Sequence, residues 1–330
     1  MNLSQKAISK SKIIVHDITW NLGLDTDWLR NPRGQRIAVY HGVVNKVYNQ
    51  FEPIYLSINT FESHLKFYKK YFNIISIEDY YHGNFSKDKF NLCISFDDGY
   101  ANNFEYVLPL LEKYQIPATF FITGIRDAGY DILWNDFLRM AGKYGPSRLD
   151  LQGETYHKNK NWKYINLSNR MPLRNVLRNS GFDLKKQFIE EVKSLLPDYW
   201  KDEKDYWLQM TEEQIKTMCL SPWVNFGSHG YYHNDLTKTS ANEAFEELKA
   251  SKKYIETLIQ KEVKAIAFPY GTYNHEIIRL SEKAGYSQLL ALDFNSKSDR
   301  DILSLKERMV IDPNISVNNQ ARAFVNGKYA

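Results

Sequence analysis

Short apolar runs recur along this chain, and each closes in small, polar or turn-forming residues. Residues 37–43, 74–77, 92–96, 117–123, 223–226, 265–268, 287–292 and 309–311 read as strands of this kind. Between them, residues 57–71, 102–114, 240–259 and 274–284 place apolar side chains at helical spacing, and Pro109 is expected to kink the second of these helices. Strands that alternate with helices predict a parallel sheet with right-handed crossovers. With about seven or eight strands, the expected fold is an irregular α/β barrel, in which chemistry sits at the C-terminal strand ends. The rhythm breaks over residues 125–210, which are more polar and turn-rich. They are expected to form a long insertion at that rim, with helices over 133–144 and 183–196. Residues 1–35 read as an extension packed on the main domain, closed by the turn Asn31-Pro32-Arg33-Gly34, and residues 36–330 as that domain.

Composition narrows the class of function. A chain that is 43% hydrophobic and 25% charged, with a formal charge of +4, is globular and carries no basic run suited to nucleic acid. Aromatic residues reach 15%, which serves either a large core or a platform for flat ligands such as sugar rings. Two cysteines, Cys93 and Cys219, do not make a disulfide framework and are expected to be reduced. No apolar leader segment opens the sequence, and no run approaches the ~20 apolar residues of a bilayer span. A soluble, cytoplasmic protein is therefore the expectation, of unspecified oligomeric state.

Three predicted strand ends carry chemistry. Asp97-Asp98-Gly99 follows the run 92–96, and two adjacent carboxylates there repel unless a cation or hydrogen-bond donors offset them. The same triplet is also ordinary turn and cap chemistry. His229-Gly230-Tyr231-Tyr232-His233 follows the fifth run, and a helical turn there would set both imidazoles on one face. Two histidines and a carboxylate suit a divalent ion such as Zn²⁺. Phe268-Pro269-Tyr270-Gly271 closes the sixth run as a tight turn.

Together, in this order and spacing, the three segments resemble the motifs of the NodB-type polysaccharide deacetylases, carbohydrate esterase family 4. The resemblance spans roughly residues 36–312. It implies the NodB homology fold and a metal-dependent hydrolase that removes N-acetyl, or sometimes O-acetyl, groups from sugars. By position it makes Asp98, His229 and His233 the ligands of one divalent ion, with Zn²⁺ favoured, and Asp97 the general base toward water. The backbone N–H of Tyr270 becomes a donor to the oxyanion, and Tyr270 a substrate contact. The implied partner is an N-acetylated sugar or polysaccharide precursor, with no nucleic acid.

Two departures stand out. The arginine that the family usually places two residues before the proline is replaced by Ala267. Arg308 is a candidate substitute, or a surface arginine beside Glu307. The family's late histidine is also missing, because no histidine follows His275. The permuted poly-N-acetylglucosamine deacetylases carry the equivalent on an early strand, which His41 of Tyr40-His41-Gly42-Val43 resembles. That makes His41 the expected acid toward the leaving amine, against the alternative of a histidine satisfied in the core. Trp134, Trp162 and Trp207 of the insertion are either a sugar platform, with Trp134 as the substrate-binding candidate, or the insertion's own core. Two other functions remain open: a catalytically impaired sugar-binding protein on the same fold, and a barrel hydrolase acting on another amide such as a cyclic imide.

Overall fold

The protein is described from a computed structural model that covers residues 3–24, 27–29, 32–48 and 54–329; Asn31 of the predicted turn lies outside them. Nine strands form one parallel sheet: β1 (Gln35–Tyr40), β2 (Asn73–Ile75), β3 (Asn91–Phe96), β4 (Ala118–Ile122), β5 (Val224–Ser228), β6 (Ala265–Ala267), β7 (Gln288–Ala291), β8 (Leu305–Glu307) and β9 (Met309–Val310). Their order is β8-β7-β6-β5-β4-β3-β1-β9, with β2 paired to the first half of β3. The two edge strands, β8 and β9, are consecutive in the chain and separated by Arg308 alone. The chain itself therefore brings the two edges of the sheet together, and the predicted irregular barrel is the fold observed. β8 was absent from the predicted strands because three residues show too little alternation to register.

Register explains why the strand ends share a rim. β1 and β3 pair along their whole length, from Gln35 with Asn91 to Tyr40 with Phe96. Phe96 lies opposite Phe120, and Ser228 opposite both Ile122 and Ile266. His41, Asp97, His229 and Phe268 consequently leave the sheet at neighbouring positions on one end. Every residue of β3 is buried, and the Phe96 ring stacks between Tyr40 and Phe120 at centroid distances of 5.2 and 5.0 Å. Helices cover the outside. Ser57 caps α2 (Ile58–Tyr71) by accepting from the Thr60 N–H. At Pro109 a π-helical stretch, Asn103–Val107, gives way to an α-helix, Leu108–Tyr114, since proline has no N–H to continue the ladder.

The insertion is a second, smaller body with its own core. It contains α3 (Trp134–Tyr144), α4 (Leu173–Arg178), α5 (Phe182–Lys193) and a three-stranded antiparallel sheet, Arg148–Leu151, Glu154–Lys158 and Tyr164–Asn166. Trp134, Phe137, Phe188, Trp200 and Trp207 fill its interior. Its last residues bind the segment after β3: Leu208 O accepts from Ala101 N at 2.7 Å and Met210 N donates to Gly99 O at 2.9 Å. Arg178 pairs with Asp235, beyond β5, at 2.8 Å. These attachments put the insertion over the C-terminal rim, as predicted.

The amino-terminal segment is more ordered than its mixed sequence suggested. α1 (Leu3–Asn21) lies against α7 (Val317–Asn326), where Asn319 donates to Asp17 Oδ1 at 2.6 Å, and its Trp20 packs on Phe67 and Tyr71 of α2. The second long helix of the barrel, α6 (Ala241–Ile259), opens on a capping box of Ser240 and Glu243. Cys93 and Cys219 are both free. No helix among the described residues is long and apolar enough to cross a membrane.

Candidate active site

The turn after β3 forces two carboxylates into one buried corner. Asp98 and Gly99 are both left-handed, at φ 75° and 78°, so the chain reverses immediately after Asp97. A side chain at position 99 would meet Ile122 at 3.1 Å in addition to that backbone strain, which explains the glycine. The two carboxylates then face different partners.

Asp97 is clamped by Arg308. The guanidinium donates to both carboxylate oxygens, at 2.7 and 2.8 Å, and also to Ser95 Oγ at 3.4 Å. Both side chains are almost wholly buried. Burial alone would raise the Asp97 pKa, but Arg308, then His229 and His41, outweigh it and hold the group below the ordinary carboxylate value. Arg308 thus stands on the seam of the barrel and reaches the carboxylate that Ala267 cannot; the alternative of a surface arginine is excluded.

Asp98 faces two imidazoles. Its Oδ1 lies 3.3 Å from His229 Nε2 and 3.2 Å from His233 Nε2. Burial opposes its charge, yet the two histidines hold it well below the ordinary carboxylate value. His229 Nδ1 donates to the Ala267 carbonyl at 2.7 Å, which leaves Nε2 to carry the lone pair. One donor atom from each of Asp98, His229 and His233 lies within 4.8 Å of the others. A tetrahedral ion with bonds of about 2.0–2.1 Å would hold its ligand atoms roughly 3.3 Å apart, so the donor set fits one divalent ion.

The histidine motif is not a helical turn, as its spacing suggested. Residues 229–234 form a loop, with Gly230 at φ 76° and His233 at φ 55°. The imidazoles still converge, 5.1 Å between ring centroids, because α6 holds the loop. Glu247 accepts from the N–H groups of Tyr231 and Tyr232 at 3.1 and 3.0 Å, and Ser251 Oγ donates to Gly230 O at 3.0 Å. From the insertion, Lys185 donates to Asn234, whose amide donates in turn to Glu247 at 2.8 Å. Burial pulls the Lys185 pKa down to about 8, and it also raises that of Glu247. Sequence reading missed Lys185, Asn234 and Glu247. The available signal was Glu247 and Ser251, polar residues at buried spacing within an amphipathic helix.

Trp134 requires correction. It is 1% exposed, so no ring face is available to a sugar. Its indole instead donates to the His233 carbonyl at 3.1 Å, beneath the Lys185 ammonium 5.0 Å from the ring. Trp207 is likewise core, whereas Trp162 is 39% exposed. Tyr270 sits in the Pro269–Gly271 turn at φ 61°, and its ring lies 4.8 Å from that of His233 and 4.4 Å from the Arg178 guanidinium. The turn borders a cavity of about 590 Å³ shared with Arg178, Asp235 and Asn274. His41 is half-buried at the end of β1, close enough to both aspartates to favour their charged forms, and its Nδ1 has no hydrogen-bond partner among the described residues.

The profile of the polysaccharide deacetylase family matches residues 86–167 and 198–289, over half of the sequence. The chain belongs to the polysaccharide deacetylase family. That match contains Asp97, Asp98, His229, His233 and Tyr270, and it skips residues 168–197, where α4 and α5 lie. A curated relative is YxkH of Bacillus subtilis, named provisionally as a polysaccharide deacetylase. It is 26% identical over 107 residues, and the match spans 32% of this chain and 38% of that protein.

Solved structures agree on the fold of this deacetylase-family chain. The Streptococcus pyogenes deacetylase PplD, solved with acetate, superposes with a TM-score of 0.58 at 19% identity, over 89% of this chain and 99% of that one. IcaB from Ammonifex degensii gives 0.53 at 17% identity, over 89% and 98%. A de-N-acetylase from Aggregatibacter actinomycetemcomitans gives 0.52 at 20% identity, over 86% and 96%.

Proposed function

We propose that this chain is a metal-dependent hydrolase that removes an N-acetyl group from an amino sugar in a glycan or glycan precursor. The observation that carries the reading is the split of the aspartate pair. Asp98 joins His229 and His233 in a three-donor cluster, while Asp97 is held apart by Arg308. A pure binding site has no use for a second, separately ionised carboxylate beside the ligand set. Family membership and the fold support the same chemistry.

A divalent ion held by Asp98, His229 and His233, Zn²⁺ by its donor preference, would supply Lewis acidity toward water and the amide carbonyl. Asp97 is the base that accepts the proton of the attacking water; Arg308 keeps it ionised and fixes its orientation. The Tyr270 N–H, set by the left-handed turn, is a donor to the oxygen on which charge develops. His41 returns a proton to the departing nitrogen, because an amine anion leaves poorly. Tyr270, at the mouth of the cavity, contacts the sugar. Residues 36–330 form the deacetylase domain in this reading, with 1–35 as its extension.

The test is acetate release from N-acetylglucosamine oligomers by the full chain, before and after chelation and readdition of Zn²⁺. Metal-dependent acetate release is the expected result. Tight glycan binding without turnover, or turnover of cyclic imides alone, would overturn the assignment.

A further inference from the structure

The face of α1 turned away from α7 is apolar and uncovered. Ile14, Val15 and Ile18 are 58%, 54% and 54% exposed; Leu22, just past the helix but with its N–H still on Ile18 O at 3.1 Å, is 65% exposed, and Leu24 is 73% exposed. At about 100° per residue, Ile14, Ile18 and Leu22 fall within roughly 80° of arc, with Val15 about 20° further round. Single exposed apolar residues are ordinary, but a contiguous stripe marks a surface that meets something. The helix does not lack packing, since its other face is tied to the body: Asn319 donates to Ile13 O at 3.2 Å and to Asp17, and Trp20 packs on Phe67.

A basic edge runs between the two faces. Lys12 and His16, with Arg322 and Lys328 from the carboxy-terminal end, line a cavity of about 330 Å³. Asn319, Asn326 and Tyr329 add to its polar wall, and among the described residues no carboxylate side chain lines it. The nearest acid on the helix, Asp17, is occupied by Ser316 and Asn319. The first sixteen residues contain three lysines and no Asp or Glu.

We infer that α1 and this cavity form a docking surface for an anionic lipid bilayer. The Ile14, Ile18 and Leu22 stripe enters the acyl boundary, and a lipid phosphate takes the basic cavity beside it. An apolar helical face bordered by lysines is the pattern of a helix that lies in a membrane interface. Charge complementarity selects the partner: an anionic surface meets the Lys12 and Lys328 edge favourably, whereas a second copy would bring like charge to it. The inference goes beyond the deacetylase reading and does not depend on it.

The experiment is co-sedimentation of the full chain with vesicles of phosphatidylcholine alone or mixed with phosphatidylglycerol. Binding to the mixed vesicles, weakened by salt, is expected. Ile18→Ser/Leu22→Ser and, separately, Lys12→Glu/Lys328→Glu should each weaken it by about tenfold or more, with thermal stability and acetate release from a soluble oligomer unchanged. Equal binding to neutral vesicles, no binding, or full binding by either double variant would overturn the inference. So would a dimer in sedimentation velocity that Ile18→Ser/Leu22→Ser dissolves, or stabilisation by inorganic phosphate without vesicle binding.

Discussion

The floor and the roof of the cleft are built on different terms. The floor belongs to the barrel, and its charges are matched across strands far apart in sequence. Asp97 meets Arg308 211 positions later, and Asp98 meets His229 and His233 from β5's end. The roof, residues 125–210, adds nothing to the three-donor cluster. It grips backbone and flanking groups instead: Trp134 holds the His233 carbonyl, Lys185 holds Asn234, and Arg178 holds Asp235. In the proposed reaction the floor supplies the groups that react, and the roof fixes where they stand. Floor substitutions should therefore remove a step outright, while roof substitutions should degrade affinity and precision.

The strongest break is predicted at Asp98. Asp98→Asn removes the only carboxylate of the donor cluster, and chelation removes what the cluster holds. Both should cost turnover at least about 10³-fold, with metal content falling in parallel. Measured metal content that stays near one per chain in Asp98→Asn would break the assignment of ligands.

Asp97 and Arg308 separate turnover from stability. Asp97→Asn should lower kcat by about 10³–10⁴-fold while metal content is retained, because the carboxylate acts on water and not on the ion. Arg308→Met leaves a buried carboxylate without its partner and should destabilise the fold by about 3–5 kcal/mol. The sign with pH is fixed by the lowered Asp97 pKa. Its stabilising contribution is fully present above the unfolded carboxylate value of about 4 and is lost as pH falls through the folded value. The gap in urea stability between wild type and Arg308→Met should therefore narrow as pH drops below about 4. A gap that widens in acid would show that the ion pair is not what holds Arg308.

His41 tests the edge of the floor. His41→Ala should keep metal content and substrate affinity and lower kcat by about 10²–10³-fold. Near-normal kcat would mean that the proton reaches the leaving nitrogen from another group.

What could be read from the sequence follows the same division. Asp97-Asp98-Gly99, the two histidines and Phe-Pro-Tyr-Gly were legible because each is a local strand end, and parallel register carries such ends to one rim. Arg308 was legible only as one of two options. Its position at the seam depends on β8 and β9 lying at opposite edges, a property of strand order that no local pattern encodes. The helical spacing of His229 and His233 misled, since Gly230 and His233 take left-handed conformations and Glu247 holds a loop there. Trp134 misled for a different reason: aromatic content says nothing about which way a ring faces. Lys185 looked like one more solvated lysine on an amphipathic helix, yet it is fully buried.

Lys185 is also where the roof can be tested with the smallest expected effect. Its ammonium donates to Ser180 O at 2.9 Å and to Asn234, beside His233 of the donor cluster, in a position the family profile does not cover. Burial pulls its pKa down to about 8 against the opposing pull of Glu247 and Asp235. Lys185→Met keeps the volume and removes the donor. Asn234 then loses its outer partner and the loop that carries His233 loosens, while Asp97, Asp98 and Arg308 are untouched. Metal affinity should fall by roughly tenfold, with kcat at saturating metal changed by less, since partners one step behind a ligand typically contribute 10–100-fold. Unfolding free energy should drop by about 1–3 kcal/mol, from the buried acceptors left unpaired. A loss of kcat as large as that of Asp97→Asn at full metal occupancy would mean the roof takes part in the reaction itself, and the division between floor and roof would fail.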